Sequence, residues 1–101
     1  MKIINEQQFK ELINETMIID FYADWCGPCK MLAPFLEELA EKYPEIGIYK
    51  INVDNDSDVA RQYGVSSIPT LVAFKGGKEV ARHIGFASVA KLSEWIEKNL
   101  K

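Results

Sequence analysis

The chain is poor in residues that ligate metals or build disulfide scaffolds. Its 101 residues include two cysteines and one histidine. A structural zinc site wants four ligands, and Cys26, Cys29 and the distant His83 leave it one short. A disulfide-stapled secreted module would use several widely spaced cysteines. An excess of positive charge is missing too: 12 Lys and Arg stand against 15 Asp and Glu, for a formal net charge of −3. With no basic stripe, the chain is a poor match for nucleic acid or an anionic membrane surface. No apolar run approaches the ~18 residues that span a bilayer. Met1-Lys2-Ile3-Ile4-Asn5-Glu6 turns polar too soon for a signal peptide, so a cytoplasmic location is expected. Repeats, low-complexity stretches and Pro/Gly/Ser linkers are also lacking, which predicts one domain over residues 1–101.

What is present suits a small folded protein. Hydrophobic residues make up 48% and charged residues 27%, enough to bury a core without staples. Ile3-Ile4 reads as a short edge strand, and Glu6 to Asn14 as a helix carrying Phe9, Leu12 and Ile13. Met17 to Ala23 is a nearly continuous apolar run, as in a strand buried on both faces. Leu32, Phe35, Leu36, Leu39, Ala40 and Tyr43 trace one face of a helix from Pro28 to Tyr43, with Pro34 inside it. Ile46 to Val53 reads as a second buried strand. A short helix follows from Ser57 to Tyr63, with Gly64 placed to end it. Thr70 to Phe74 and Lys78 to Ile84 form a hairpin about Gly76-Gly77. Ser88 caps a last helix bearing Val89, Leu92, Trp95, Ile96 and Leu100. The order β-α-β-α-β-α-β-β-α implies an α/β fold, a mixed sheet flanked by helices on both faces.

The two cysteines stand as Trp25-Cys26-Gly27-Pro28-Cys29-Lys30, at the junction of the first long strand and helix. Two-residue spacing closes the smallest kind of loop, where a structural bridge stabilises least. It suits the making and breaking of one local disulfide. Cys26 is expected at the helix N-terminus, where unpaired N–H groups and the helix dipole favour a thiolate. Cys29, one turn on, is expected to be the more sheltered thiol. Pro28 suits a first turn that needs no N–H, and Gly27 is expected to let the backbone turn tightly. Inert buried cysteines or half of a metal site are the competing readings.

This arrangement resembles the thioredoxin family. The string Trp25 to Lys30 matches the family's active site, and Phe21-Tyr22-Ala23-Asp24 its approach strand. Lys50-Ile51-Asn52-Val53-Asp54, Tyr63-Gly64-Val65, Ile68-Pro69-Thr70-Leu71 and Phe74-Lys75 extend the resemblance over essentially the whole chain. Tyr22, where many members carry a second tryptophan, and Ser67, where many carry glycine, depart from the pattern.

The resemblance implies roles that the residues alone leave open. Asp20 lies in the most apolar run of the chain, either as a strand-end carboxylate reaching solvent or as a buried one with a raised pKa. The family places a buried aspartate there as proton acceptor and donor behind the second cysteine. Lys50 either snorkels outward or, as the resemblance implies, points at Asp20. The Ile68–Pro69 bond is expected to be cis. Trp25, Gly27, Pro28, Ile68, Pro69 and Thr70 are expected to line the substrate groove. Read as a surface residue, His83 takes no part.

The implied activity is general dithiol–disulfide exchange. Cys26 attacks a substrate protein disulfide, Cys29 resolves the mixed disulfide and Asp20 assists the proton transfer. No bound cofactor or metal is expected; the Cys26–Cys29 disulfide carries the electrons, and a thioredoxin reductase drawing on NADPH renews them. Disulfide-containing proteins are the expected substrates, and the chain is expected to be a monomer. A thiol oxidase or isomerase, or a redox-switched binding module, are the rivals on the same fold.

Overall fold

In a computed structural model describing Met1–Lys101, nine elements follow in order: β1 (Lys2–Ile3), α1 (Glu6–Leu12), β2 (Met17–Tyr22), α2 (Gly27–Lys42), β3 (Gly47–Asn52), α3 (Ser57–Gln62), β4 (Thr70–Lys75), β5 (Lys78–Ile84) and α4 (Val89–Leu100). Local chemistry sets most of the boundaries. Asn5 and Gln8 form a reciprocal capping box at the start of α1, each side chain accepting the other's backbone N–H at 2.9 Å. Ser88 Oγ accepts the Lys91 N–H at 3.2 Å and starts α4. Gly64 takes a φ of +64° just beyond α3, the left-handed conformation that glycine adopts without penalty. Gly76 and Gly77, at φ +62° and +83°, turn β4 into β5. α2 runs through Pro34 without interruption.

The strands form one mixed sheet in the order β1-β3-β2-β4-β5. β1, β3 and β2 are parallel, and β4 runs antiparallel to both β2 and β5. Central β2 is buried at all six positions, as its nearly continuous apolar run requires. Alternation along the strands divides the core in two. Ile18, Leu71 and Ala73 face Leu32, Leu36 and Leu39 of α2 and Leu92 and Ile96 of α4. Ile19, Phe21, Ile51, Val72 and Phe74 face Phe9 of α1 and Val59 and Ala60 of α3. Phe9, Tyr63 and Phe74 meet edge to face with ring centroids 5.1–5.7 Å apart.

The first strand differs by one residue from its expected place. β1 is Lys2–Ile3 rather than Ile3-Ile4. Ile4 lies just past the strand, buried in the core, while its N–H still donates to the Lys50 carbonyl at 2.8 Å. Helix α1 ends at Leu12, two residues short of Asn14.

Candidate active site

The site forms where β2 hands over to α2. Cys26 is the N-cap of α2, in extended backbone, and its Sγ accepts the Cys29 N–H at 3.2 Å. The helix start therefore directs one of its unpaired donors at this sulfur. Cys26 and Cys29 are joined as a disulfide, with Cα atoms 5.3 Å apart. Pro28 sits in the first turn, where its missing N–H costs nothing.

Two expectations are corrected here. The thiols do not differ in exposure: Cys26 is 4% and Cys29 3% exposed, because Tyr22, Ala23, Val53 and Ile68 cluster round both. What separates them is hydrogen bonding and position on the helix. Gly27 is not required for a tight turn. It lies in the first turn of α2, outside the left-handed region, and a Cβ there would meet nothing within 4 Å.

Three segments rim the sulfurs. Trp25 is 70% exposed, so it is no core aromatic. Its indole N–H donates to Asp54 Oδ2 at 2.9 Å. The Asp54 backbone N–H is held in turn by Asn52 Oδ1 at 2.9 Å. Across from it, the Ile68 carbonyl oxygen lies 3.9 Å from Cys26 Sγ, beside a cis Ile68–Pro69 bond. Pro69 is buried, and its carbonyl accepts the Gly85 N–H at 2.8 Å, tying this loop to the end of β5. Thr70 is 1% exposed and its hydroxyl donates to the Ser67 carbonyl at 2.5 Å. Its side chain braces the loop from behind and does not line an open groove. Ser67 needs no left-handed backbone, so the departure from glycine introduces no strain.

Asp20 is fully buried on β2, and neither carboxylate oxygen has a hydrogen-bond partner. Burial pushes its pKa up to about 7, with the Lys50 charge pulling the other way. Lys50 stands directly opposite on β3, yet it forms no ion pair with Asp20; its ammonium lies 4.2 Å from the centre of the Tyr22 ring. A cavity of about 400 Å³ opens beside Lys50 and Tyr22, its lining including Asp24, Cys29, Lys30 and Ala33 but not Asp20. Sequence reasoning missed Asp54 as the partner of Trp25 and Tyr22 as the seat of Lys50. Both are side-chain choices between segments far apart in the chain, with no local signal.

His83 lies elsewhere, on β5. It is half-buried against Trp95, with ring centroids 6.2 Å apart, rather than a plain surface residue. Its Nε2 has no partner, and burial, followed by the Lys91 charge, holds its pKa below the usual value. No group of three or more His, Cys, Asp and Glu side chains is gathered for a metal ion.

A Cys-x-x-Cys pair joined as a disulfide at a helix N-terminus is the equipment of a dithiol–disulfide oxidoreductase. Comparison with known proteins narrows this. The thioredoxin family model matches residues 1–98. Thioredoxin of Chlamydia pneumoniae is 47% identical over 100 residues, covering 98% of each chain. Thioredoxin-2 of Saccharomyces cerevisiae is 48% identical over 87 residues, covering 86% of this chain and 83% of the yeast protein. Thioredoxin 1 of Nostoc is 41% identical over 101 residues, covering 96% and 94%. The chain belongs to the thioredoxin family and is a protein-disulfide oxidoreductase.

Proposed function

We propose that Cys26 is the attacking thiol of a general protein-disulfide reductase and that Cys29 resolves. In the reduced protein the Cys26 thiolate attacks one sulfur of a substrate disulfide. A Cys26–substrate bond forms, and the other substrate sulfur leaves as a thiolate that takes a proton from solvent. Asp20, buried and without a hydrogen-bond partner, takes the proton of Cys29. The Cys29 thiolate then attacks Cys26 Sγ. The Cys26–Cys29 bond forms, the mixed disulfide breaks, and the second substrate sulfur leaves as a thiolate that takes a proton from solvent. Two electrons pass to the substrate, and the protein is left oxidised. A thioredoxin reductase supplied with NADPH returns them, with no cofactor bound to this chain.

The observation that carries this reading is the N-cap geometry of Cys26, whose sulfur accepts the Cys29 N–H. It favours negative charge on that sulfur over its neighbour. Trp25, the exposed Gly27 and Pro28, and Ile68 with Pro69 frame the sulfurs, and an extended substrate segment pairs with the backbone beside Pro69. Thr70 acts by bracing the loop. Lys50 tempers the charge of Asp20. No helix is long and apolar enough to cross a membrane; we place the protein in the cytoplasm as a monomer.

Insulin-disulfide reduction tests the reading. Wild type with NADPH and a thioredoxin reductase should turn over, and Cys26→Ser and Cys29→Ser should not. A protein that uses the fold only to clamp partners would show negligible turnover in all three. A reduction potential measured against glutathione separates a reductase from an oxidase or isomerase.

A further inference from the structure

Tyr22 ends strand β2 beside the site, and the structure gives it a specific neighbour. Asp20 and Tyr22 are two residues apart on β2, so their side chains leave the same face of the sheet. Lys50 stands opposite Asp20 in the parallel register, and Asn52 opposite Tyr22. From that position the lysine chain can reach either the carboxylate or the ring. It takes the ring: Nζ lies 4.2 Å from the Tyr22 centroid, within the ~6 Å over which an aromatic face attracts a cation. Both Asp20 oxygens are left without a partner. The choice is physically reasonable. At the ring the ammonium keeps an edge on the cavity that it lines with Tyr22 and Cys29, whereas a pair with Asp20 would draw it into a fully buried site, with loss of hydration.

We propose that Tyr22 is a positioning residue whose ring holds the Lys50 ammonium off Asp20, keeping that carboxylate unpaired and able to exchange a proton with Cys29. A cation seated on the carboxylate would hold it ionised at neutral pH and leave it a weak proton acceptor. The other charges facing this space are few. Asp24 from the β2–α2 loop and Lys30 from α2 line the same cavity. β4 offers only Leu71 opposite Asp20, and α4 brings buried Leu92 and Ile96 to this side of the sheet. Lys50 is therefore the cation whose placement matters most. The inference rests on the proton-transfer role proposed for Asp20, but its test is separate from turnover.

The test is the carboxyl carbon-13 NMR titration of Asp20 in the oxidised protein. It compares wild type with Tyr22→Phe, Tyr22→Leu, Lys50→Met and the Tyr22→Leu/Lys50→Met pair. The wild-type midpoint is expected near 7. Tyr22→Phe keeps the ring and should keep the midpoint. Tyr22→Leu frees the lysine to pair with Asp20 and should lower the midpoint by about one pH unit or more. In the double variant the midpoint should return to the wild-type value or above. Lys50→Met should then raise the midpoint more in the Tyr22→Leu background than in wild type. If Tyr22→Leu fails to fold, Tyr22→Met, also without a ring, is read in the same way. An unchanged midpoint in the ring-less variants, or an equal fall without Lys50, overturns the proposal. A failure of the disulfide-reductase reading would appear in insulin reduction and leave this titration untouched.

Discussion

The Cys29 backbone N–H donates to Cys26 Sγ across 3.2 Å, while both cysteines are buried. The difference between the two thiols is therefore electrostatic. In the reduced protein the donor at the helix start stabilises charge on Cys26, whose sulfur lies at the cap, and not on Cys29, one turn further along.

Alkylation reads this difference. With limiting iodoacetamide near pH 7, Cys26 should react at least about tenfold faster than Cys29, because the thiolate is the reactive form. Peptide mapping locates the label. Equal labelling would mean that the cap does not discriminate between the sulfurs.

Asp20 links the site to stability. Its folded pKa of about 7 lies above the ordinary aspartate value of 3.8, which holds for the unfolded chain. Between those two values the folded protein holds a proton that the unfolded chain releases, so stability falls as pH rises through that window. The gap of about three pH units corresponds to about 4 kcal/mol, fully lost above pH 7. Asp20→Asn removes the ionisation and keeps the shape. It should stabilise the protein by about 1–4 kcal/mol at pH 8 and by little near pH 4, while slowing insulin reduction. Urea melts at both pH values check this. Equal changes at the two pH values would show a carboxylate that does not titrate with folding.

Much of this was legible in the sequence. Caps and turns are local, so Ser88, Gly64 and the Gly76-Gly77 turn announced their elements. The nearly continuous apolar run from Met17 identified the central strand, and helical spacing identified α2 and α4. Less legible was whatever depends on distant segments meeting. β1 pairs with β3, more than forty residues on, and nothing local in Lys2–Ile3 sets that register. The cover over Cys26 comes partly from Val53 and Ile68, which hid its burial from any local reading. The cis bond before Pro69 and the burial of Asp20 were anticipated from family resemblance, not from residue chemistry.

Trp25 should matter for substrate and little for folding. It is exposed apart from its bond to Asp54. Trp25→Ala should raise KM for a protein disulfide about tenfold, or ~1.4 kcal/mol, with kcat within about twofold and a stability change under about 1 kcal/mol. Asp54→Ala, which releases the indole without removing it, should have a smaller effect on KM. Steady-state kinetics and thermal melts decide. A large loss of stability in Trp25→Ala would make the residue structural.

Mixed-disulfide trapping tests the division of labour between the cysteines most directly. Reduced Cys29→Ser and Cys26→Ser proteins are each mixed with a disulfide-containing protein, quenched with acid and weighed by mass spectrometry. Cys29→Ser should accumulate a covalent adduct of one protein with one substrate, released by dithiothreitol, because the attacking thiol remains and the resolving one is gone. Cys26→Ser should accumulate little. Accumulation of the adduct in Cys26→Ser, with none in Cys29→Ser, would contradict the assignment.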